Sequence, residues 1–246
     1  MIADHASVSD IGSVRNVNQD NILCRCDRNN GIFVVADGMG GHSKGEIASA
    51  ELVDALREWS RTCREKDISA LAASCRECIV QTSDRLYESF KSEGLIGGTT
   101  AVVLLVMKDD IAILSIGDSR IYRFDHGEGK LKPITVDDVW ENLPEAKAMD
   151  PEEAMKDPRR GKLTTAVGAR KGVTVKTDIF RANGDEIFLL VSDGVYRFCD
   201  IGYIDTLIND NLGMLRPEFI LNDISVRVME NGAADNYSAV MVHTRS

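Results

Sequence analysis

The chain of 246 residues carries 39 acidic against 29 basic side chains, a formal net charge of −10, and 43% hydrophobic residues. That is enough apolar material for one sizeable core, whereas the negative charge and the lack of any Lys/Arg run longer than Arg159-Arg160 argue against a nucleic-acid partner. No apolar run nears the roughly 20 residues of a membrane span, and Met1-Ile2-Ala3-Asp4-His5 lacks the basic and apolar blocks of a leader, so one soluble cytoplasmic domain, residues 1–246, is expected.

In chain order, short strands come first, and Phe33-Val34-Val35-Ala36 is the strongest of them. Helical spacing follows in Lys44–Thr62, with Ile47, Ala48, Leu52, Ala55, Leu56 and Trp59 on one stripe. It continues over residues 68–90 with Leu71, Ala72, Cys75, Ile79, Leu86 and Phe90. Both helices are expected to lie on a sheet. The apolar runs at residues 100–106 and 111–116 flank the polar Lys108-Asp109-Asp110, a turn of hairpin length, and so predict antiparallel neighbours. Residues 136–160 turn polar, with Pro144, Pro151 and Pro158, and read as a surface excursion holding a short helix at Pro151–Lys156. A last strand, helix and strand close the chain. Consecutive helices beside consecutive strands favour α+β. Continuous apolar runs favour strands covered on both faces, hence two stacked sheets with helices outside, a four-layer α-β-β-α sandwich. Six cysteines include Cys75-Arg76-Glu77-Cys78 inside a helical segment. With no second pair at zinc-finger spacing, ordinary reduced thiols are expected rather than a metal or redox site.

Four aspartates stand at the mouths of apolar runs: Asp37 after Ala36, Asp118 after residues 113–117, Asp193 after residues 188–192, and Asp235 just before residues 237–242. Strands of one buried sandwich can gather such acids at one edge, where like charges repel unless cations neutralise them. Hard oxygen ligands point to Mg²⁺ or Mn²⁺.

Six motifs occur in order: Arg15-Asn16-Val17-Asn18-Gln19-Asp20, Asp37-Gly38-Met39-Gly40-Gly41-His42, Gly98-Thr99-Thr100, Gly117-Asp118-Ser119-Arg120, Ser192-Asp193-Gly194 and Asp235-Asn236. Together they resemble the bacterial branch of the metal-dependent Ser/Thr protein phosphatases, the PPM or type 2C family, over almost the whole chain. The resemblance implies two antiparallel sheets flanked by helices and a centre of two Mn²⁺ or Mg²⁺ ions. It implies that Asp37 bridges both ions, that the Gly38 carbonyl and Asp193 hold one and Asp235 the other, and that Asp20 lies beside these ligands. A water shared by two ions about 3.5–4 Å apart ionises easily and can attack phosphorus.

Arg15 is the candidate phosphate clamp, a planar guanidinium able to hold two phosphate oxygens, with a surface ion pair as the alternative. His42 is a candidate proton donor to the leaving alkoxide, or else a supporting residue; Met39 stands where the animal branch carries its proposed acid histidine. Asp118 suits a third, weaker metal, or an ordinary Gly-Asp-Ser turn. Its partner acid is missing, since Ala169-Arg170-Lys171 follows Ala166-Val167-Gly168. Gln19 replaces a frequent Glu, and Val136-Asp137-Asp138-Val139 lacks a histidine usual beside that acid. Residues 136–160 match the family's flap. The expected substrates are phosphoserine and phosphothreonine proteins, in opposition to a Ser/Thr kinase. The alternatives are a catalytically silent phosphoprotein-binding adaptor, for which a ligand should have been lost, and a two-metal nuclease or small-molecule phosphoesterase, which the acidic balance disfavours.

Overall fold

The computed structural model describes residues 2–40 and 44–245. In chain order they form β1 (Ile2–Asp10), β2 (Asp20–Cys26), β3 (Asn30–Gly40), α1 (Lys44–Thr62), α2 (Ile68–Ser92), β4 (Gly97–Thr99), β5 (Ala101–Met107), β6 (Asp110–Ile116), β7 (Arg120–Asp125) and β8 (Lys130–Pro133). There follow α3 (Pro144–Lys147), α4 (Pro151–Lys156), β9 (Lys176–Arg181), β10 (Glu186–Val191), α5 (Asp193–Tyr196), α6 (Ile201–Asn211), α7 (Pro217–Glu230) and β11 (Tyr237–Thr244). His42 lies outside the described residues.

One antiparallel sheet runs β1-β11-β10-β7-β8 and the other β2-β3-β5-β6-β9, with β4 paired to β3. Alternate residues along the inner strands serve different cores, which is why those strands read as unbroken apolar runs. Phe33, Val35, Val102, Leu104, Phe188, Leu190, Val240 and Val242 fill the space between the sheets. Their neighbours Val34, Ala36, Val103 and Leu105 face α1 and α2, and Leu189, Val191, Ala239 and Met241 face α6 and α7. Three cores separate four layers, α-β-β-α. Each fully buried Leu or Phe contributes about 1.5–3 kcal/mol by leaving water.

Helix α1 spans the residues that its periodicity predicts, with Ala48, Leu52, Val53 and Leu56 buried; Ile47, expected on the same stripe, is exposed. Asp67 caps α2, its carboxylate accepting from the Ala70 N–H. Cys75 is buried in that helix, Cys78 is half-buried, both are free thiols, and burial pushes both thiols up. The β5–β6 hairpin closes through Lys108, at φ 57°, and Asp109. Between β10 and β11 the expected single helix is three, because Arg216-Pro217 restarts the chain at the first turn of α7. The polar excursion at 136–160 is pinned by buried Val139, Trp140 and Ala146, and its short helix falls at Pro151–Lys156 as the proline predicts. No helix among the described residues is long and apolar enough to cross a membrane.

Candidate metal centre

The strand mouths do meet. Asp20 and Asp37 are direct partners in the β2–β3 register, Asp193 follows the end of β10, and Asp235 precedes β11, the strand that pairs with β10. Asp118 sits in the turn from β6 to β7. The proximity shows in their acidities. Burial first, and then the charges of Asp20, Asp193, Asp118 and Asp235, hold Asp37 well above the ordinary carboxylate range. Burial raises Asp20 to about 6 against the hydrogen bond from Ser192, with Asp193 and Asp235 adding to the rise. Asp118 is raised to about 6 by burial, Asp193 and Asp137. Asp193 is raised by burial and drawn back by Arg197, with Asp235 adding to the rise.

The backbone around Asp37 is fixed by the threonines of the third motif. Thr100 N–H and the Thr99 hydroxyl donate to the Asp37 carbonyl at 2.8 and 3.0 Å, and Asp37 N–H donates to Thr100 Oγ1 at 3.0 Å. Thr100 Oγ1 also shares a 2.6 Å hydrogen bond with Ser119 in the Asp118 turn. Gly38 cannot carry a side chain, because a Cβ there would lie 2.3 Å from the Gly45 carbonyl oxygen of α1 and 2.5 Å from that of Gln19. Gly194 is equally constrained, with the Asn236 carbonyl oxygen 1.9 Å from its hypothetical Cβ.

Other bonds tie the two sheets together across the cluster. Ser192 donates to Asp20 Oδ2 at 2.8 Å and accepts from Ser238 N–H at 2.9 Å. The Asn236 side chain accepts from Gln19 N–H and donates to the Ile11 and Val17 carbonyls, so the Arg15–Asp20 segment is strapped to β11. Asp138 accepts from Gly117 N–H at 3.0 Å and pairs with Lys176 at 2.5 Å. Asp137 holds Arg120 through two guanidinium nitrogens, and Arg120 stacks 3.8 Å above the Tyr196 ring. Tyr196 in turn donates to the Asp118 carbonyl at 3.1 Å. The Asp137-Asp138 pair, without its usual histidine, therefore anchors the Gly117–Arg120 turn.

Arg15 takes the ion-pair geometry, with Nη2 2.8 Å from Asp235 Oδ2 and the side chain half exposed. Arg197, which sequence reasoning passed over, lies 2.9 Å from Asp193. Its signal was its place four residues after a strand-end Asp-Gly, where an i,i+4 pair forms on a helical turn. Ser192 and Asn236 stood inside the quoted motifs, but their work depends on partners far away in sequence.

Whether cations suit this site rests on its donors. They are all oxygens, the carboxylates exceed the arginines, and burial together with neighbouring carboxylates raises Asp20, Asp37, Asp118 and Asp193. Among the described residues no three His, Cys, Asp or Glu side chains converge on a single ion position. Arg15 and Arg197 pair with Asp235 and Asp193. The donor set therefore fits hard divalent cations.

The sequence matches the family profile "Protein phosphatase 2C" over residues 13–231. It is 31% identical over 241 residues to the serine/threonine phosphatase stp of Listeria welshimeri, covering 95% of this chain and 93% of that one. The fold is similar to that of the serine/threonine phosphatase Stp1 from Staphylococcus aureus, at 26% identity and TM-score 0.85 over 100% of this chain and 96% of that one. It is also similar to the catalytic domain of the serine threonine protein phosphatase PstP in complex with two manganese ions, at 26% identity and TM-score 0.77 over 98% of each chain. With a profile spanning most of its length and a relative aligned almost end to end, this chain belongs to the protein phosphatase 2C family.

Proposed function

We propose that this Ser/Thr protein phosphatase hydrolyses phosphoserine and phosphothreonine on proteins with two Mn²⁺ or Mg²⁺ ions, opposing a Ser/Thr kinase in a bacterial cytoplasm. The observation that carries the reading is the gathering of Asp20, Asp37, Asp118, Asp193 and Asp235 at one end of the sandwich, where burial and neighbouring carboxylates raise the pKa values of Asp20, Asp37, Asp118 and Asp193. Asp37, the Gly38 carbonyl, Asp193 and Asp235 are the proposed ligands, with Asp20 in support and Asp118 for a third, weaker ion. The PstP structure with two manganese ions supports this choice of metal. Bound divalent cations would supply an activated water and offset the charge of the phosphoryl group.

The chain's own residues do the rest. The threonine bonds hold the Asp37 backbone rigid, and Ser192 fixes Asp20 against β10. Arg15, half exposed at the rim, can exchange Asp235 for two phosphate oxygens, orienting phosphorus for in-line attack. His42 is our candidate for protonating the leaving serine or threonine oxygen. The chain is one catalytic domain over residues 1–246, and 136–160 is its substrate-facing flap. A silent adaptor is not favoured, because Asp37, Asp193 and Asp235 are all present at one end of the sandwich.

The test is phosphate release from a phosphothreonine peptide with Mn²⁺, with EDTA, and with Asp193→Ala, using p-nitrophenyl phosphate in parallel. Turnover that needs metal and is abolished by the substitution is expected. A folded, Mn²⁺-loaded protein without turnover would refute the reading.

A further inference from the structure

Two arginines bracket the acid cluster in the same way. Arg15 pairs with Asp235 at 2.8 Å and Arg197 with Asp193 at 2.9 Å, and their side chains are 49% and 52% exposed. Both guanidiniums act on Asp193, and Arg197 also lies in the fields of Asp118 and Asp235. Asp193 is only 15% exposed, whereas half of the Arg197 side chain stays open to solvent, so the guanidinium remains accessible beyond the pair.

The root of Arg197 is fixed while its head, paired with Asp193, is half exposed. Its N–H donates to the Asp193 carbonyl at 3.0 Å, closing α5. Tyr196, the preceding residue, is clamped between the Arg120 guanidinium and the Asp118 carbonyl. A guanidinium presents more donors than one carboxylate can use, and a phosphoryl group offers several acceptors in matching geometry.

We propose that Arg197 is a second substrate-binding arginine, which with Arg15 holds the phosphoryl group of the substrate. The proposal rests on the phosphatase reading. When the charge of Asp193 is taken up by a divalent cation, its pairing with Arg197 weakens and the guanidinium turns to phosphate.

The test compares wild type with Arg197→Ala and Arg197→Lys in three measurements. These are the calorimetric Kd for inorganic phosphate on the Mn²⁺-loaded protein, KM for a phosphothreonine peptide, and the calorimetric titration of Mn²⁺ into metal-stripped protein. Arg197→Ala is expected to raise the phosphate Kd and the peptide KM about tenfold, as for loss of one charge-assisted contact, and to tighten Mn²⁺ binding because no guanidinium competes for Asp193. Arg197→Lys keeps the charge but loses the fork, so it falls between. An unchanged phosphate Kd in folded Arg197→Ala overturns the proposal and leaves a surface ion pair. A change in peptide KM without one in phosphate Kd also overturns it, moving the contact to the peptide. Should Arg197→Ala not fold, the phosphate Kd of Arg197→Lys decides by the same criterion. Because phosphate binding is read without turnover, an inactive wild type would refute the phosphatase reading and not this one.

Discussion

Asp20 and Asp37 face each other directly across the β2–β3 ladder, so the fold spends a cross-strand pair on two like charges. Stability must reflect that. The folded-state carboxyls of Asp20 and Asp118, at about 6, lie above the usual 3.8. The native state thus binds more protons than the unfolded chain between these values, and metal-free stability falls as pH rises through roughly 4 to 6. A shift of that size is on the order of 2–3 kcal/mol per group, fully expressed above pH 7. Melting temperatures in EDTA are therefore expected to be lower at pH 8 than at pH 5, and Mn²⁺ should raise Tm more at pH 8. Asp37→Asn should raise the EDTA value at pH 8 and shrink the Mn²⁺ gain. A Tm in EDTA that climbs from pH 5 to pH 8, with no Mn²⁺ effect, would contradict the charge cluster.

The two glycines of the metal motifs make a steric prediction. Gly38→Ala drives a methyl into the backbones of Gly45 and Gln19, and Gly194→Ala drives one into Asn236. Neither obstacle is a movable side-chain tip. Overpacking of this kind costs about 1–3 kcal/mol, and urea denaturation should show a lowered midpoint for each variant. Gly213→Ala, whose hypothetical Cβ meets nothing within 4 Å and whose φ is not positive, is the control without contact or strain. Equal losses at all three positions would show that close approach is not what selects glycine at 38 and 194.

These distances also mark what a sequence can carry. The bounds of α1 were legible because its stripe repeats locally, and the Phe33–Ala36 run was legible because both faces of β3 are covered. Strand β9 was not: it is an exposed edge with Lys176, Asp178 and Arg181, and only its pairing with β6 makes it a strand. The Arg15–Asp235 and Asn236–Gln19 contacts join residues more than 200 positions apart, so no local pattern announces them. The identity of the acids was legible through motifs, whereas the arginines that pair with two of them depend on the fold.

Thr100 offers a sharper handle on the centre than any ligand, because it touches Asp37 through the backbone alone. Thr100→Val keeps the shape, removes the acceptor of Asp37 N–H and breaks the bond to Ser119. A buried donor left without a partner costs about 1–3 kcal/mol. The variant should unfold at lower urea and bind Mn²⁺ more weakly by calorimetry, while Thr100→Ser recovers most of both. Wild-type Mn²⁺ affinity in Thr100→Val would mean that the hydroxyl does not position Asp37.

The polar excursion hangs from the same site. Asp138 holds Gly117 N–H at 3.0 Å and Lys176 at 2.5 Å, and Lys176 also donates to the Val136 carbonyl at 2.8 Å. Asp138→Ala removes the side-chain ties but keeps the backbone bonds of Asp138 to Gly117 and Thr164, so the segment should loosen without detaching. Its exposed Arg159 and Arg160 provide tryptic sites within the loosened stretch. Losing about 1.4 kcal/mol of local stability raises the open population about tenfold, and cleavage at 159–160 should accelerate by that factor when opening is fast relative to cleavage. If the excursion also positions substrate, KM for a phosphopeptide rises more than KM for p-nitrophenyl phosphate, which is too small to reach it. Unchanged cleavage and an unchanged KM ratio would show that Asp138 is dispensable as an anchor and that Val139, Trp140 and Ala146 hold the segment through burial alone.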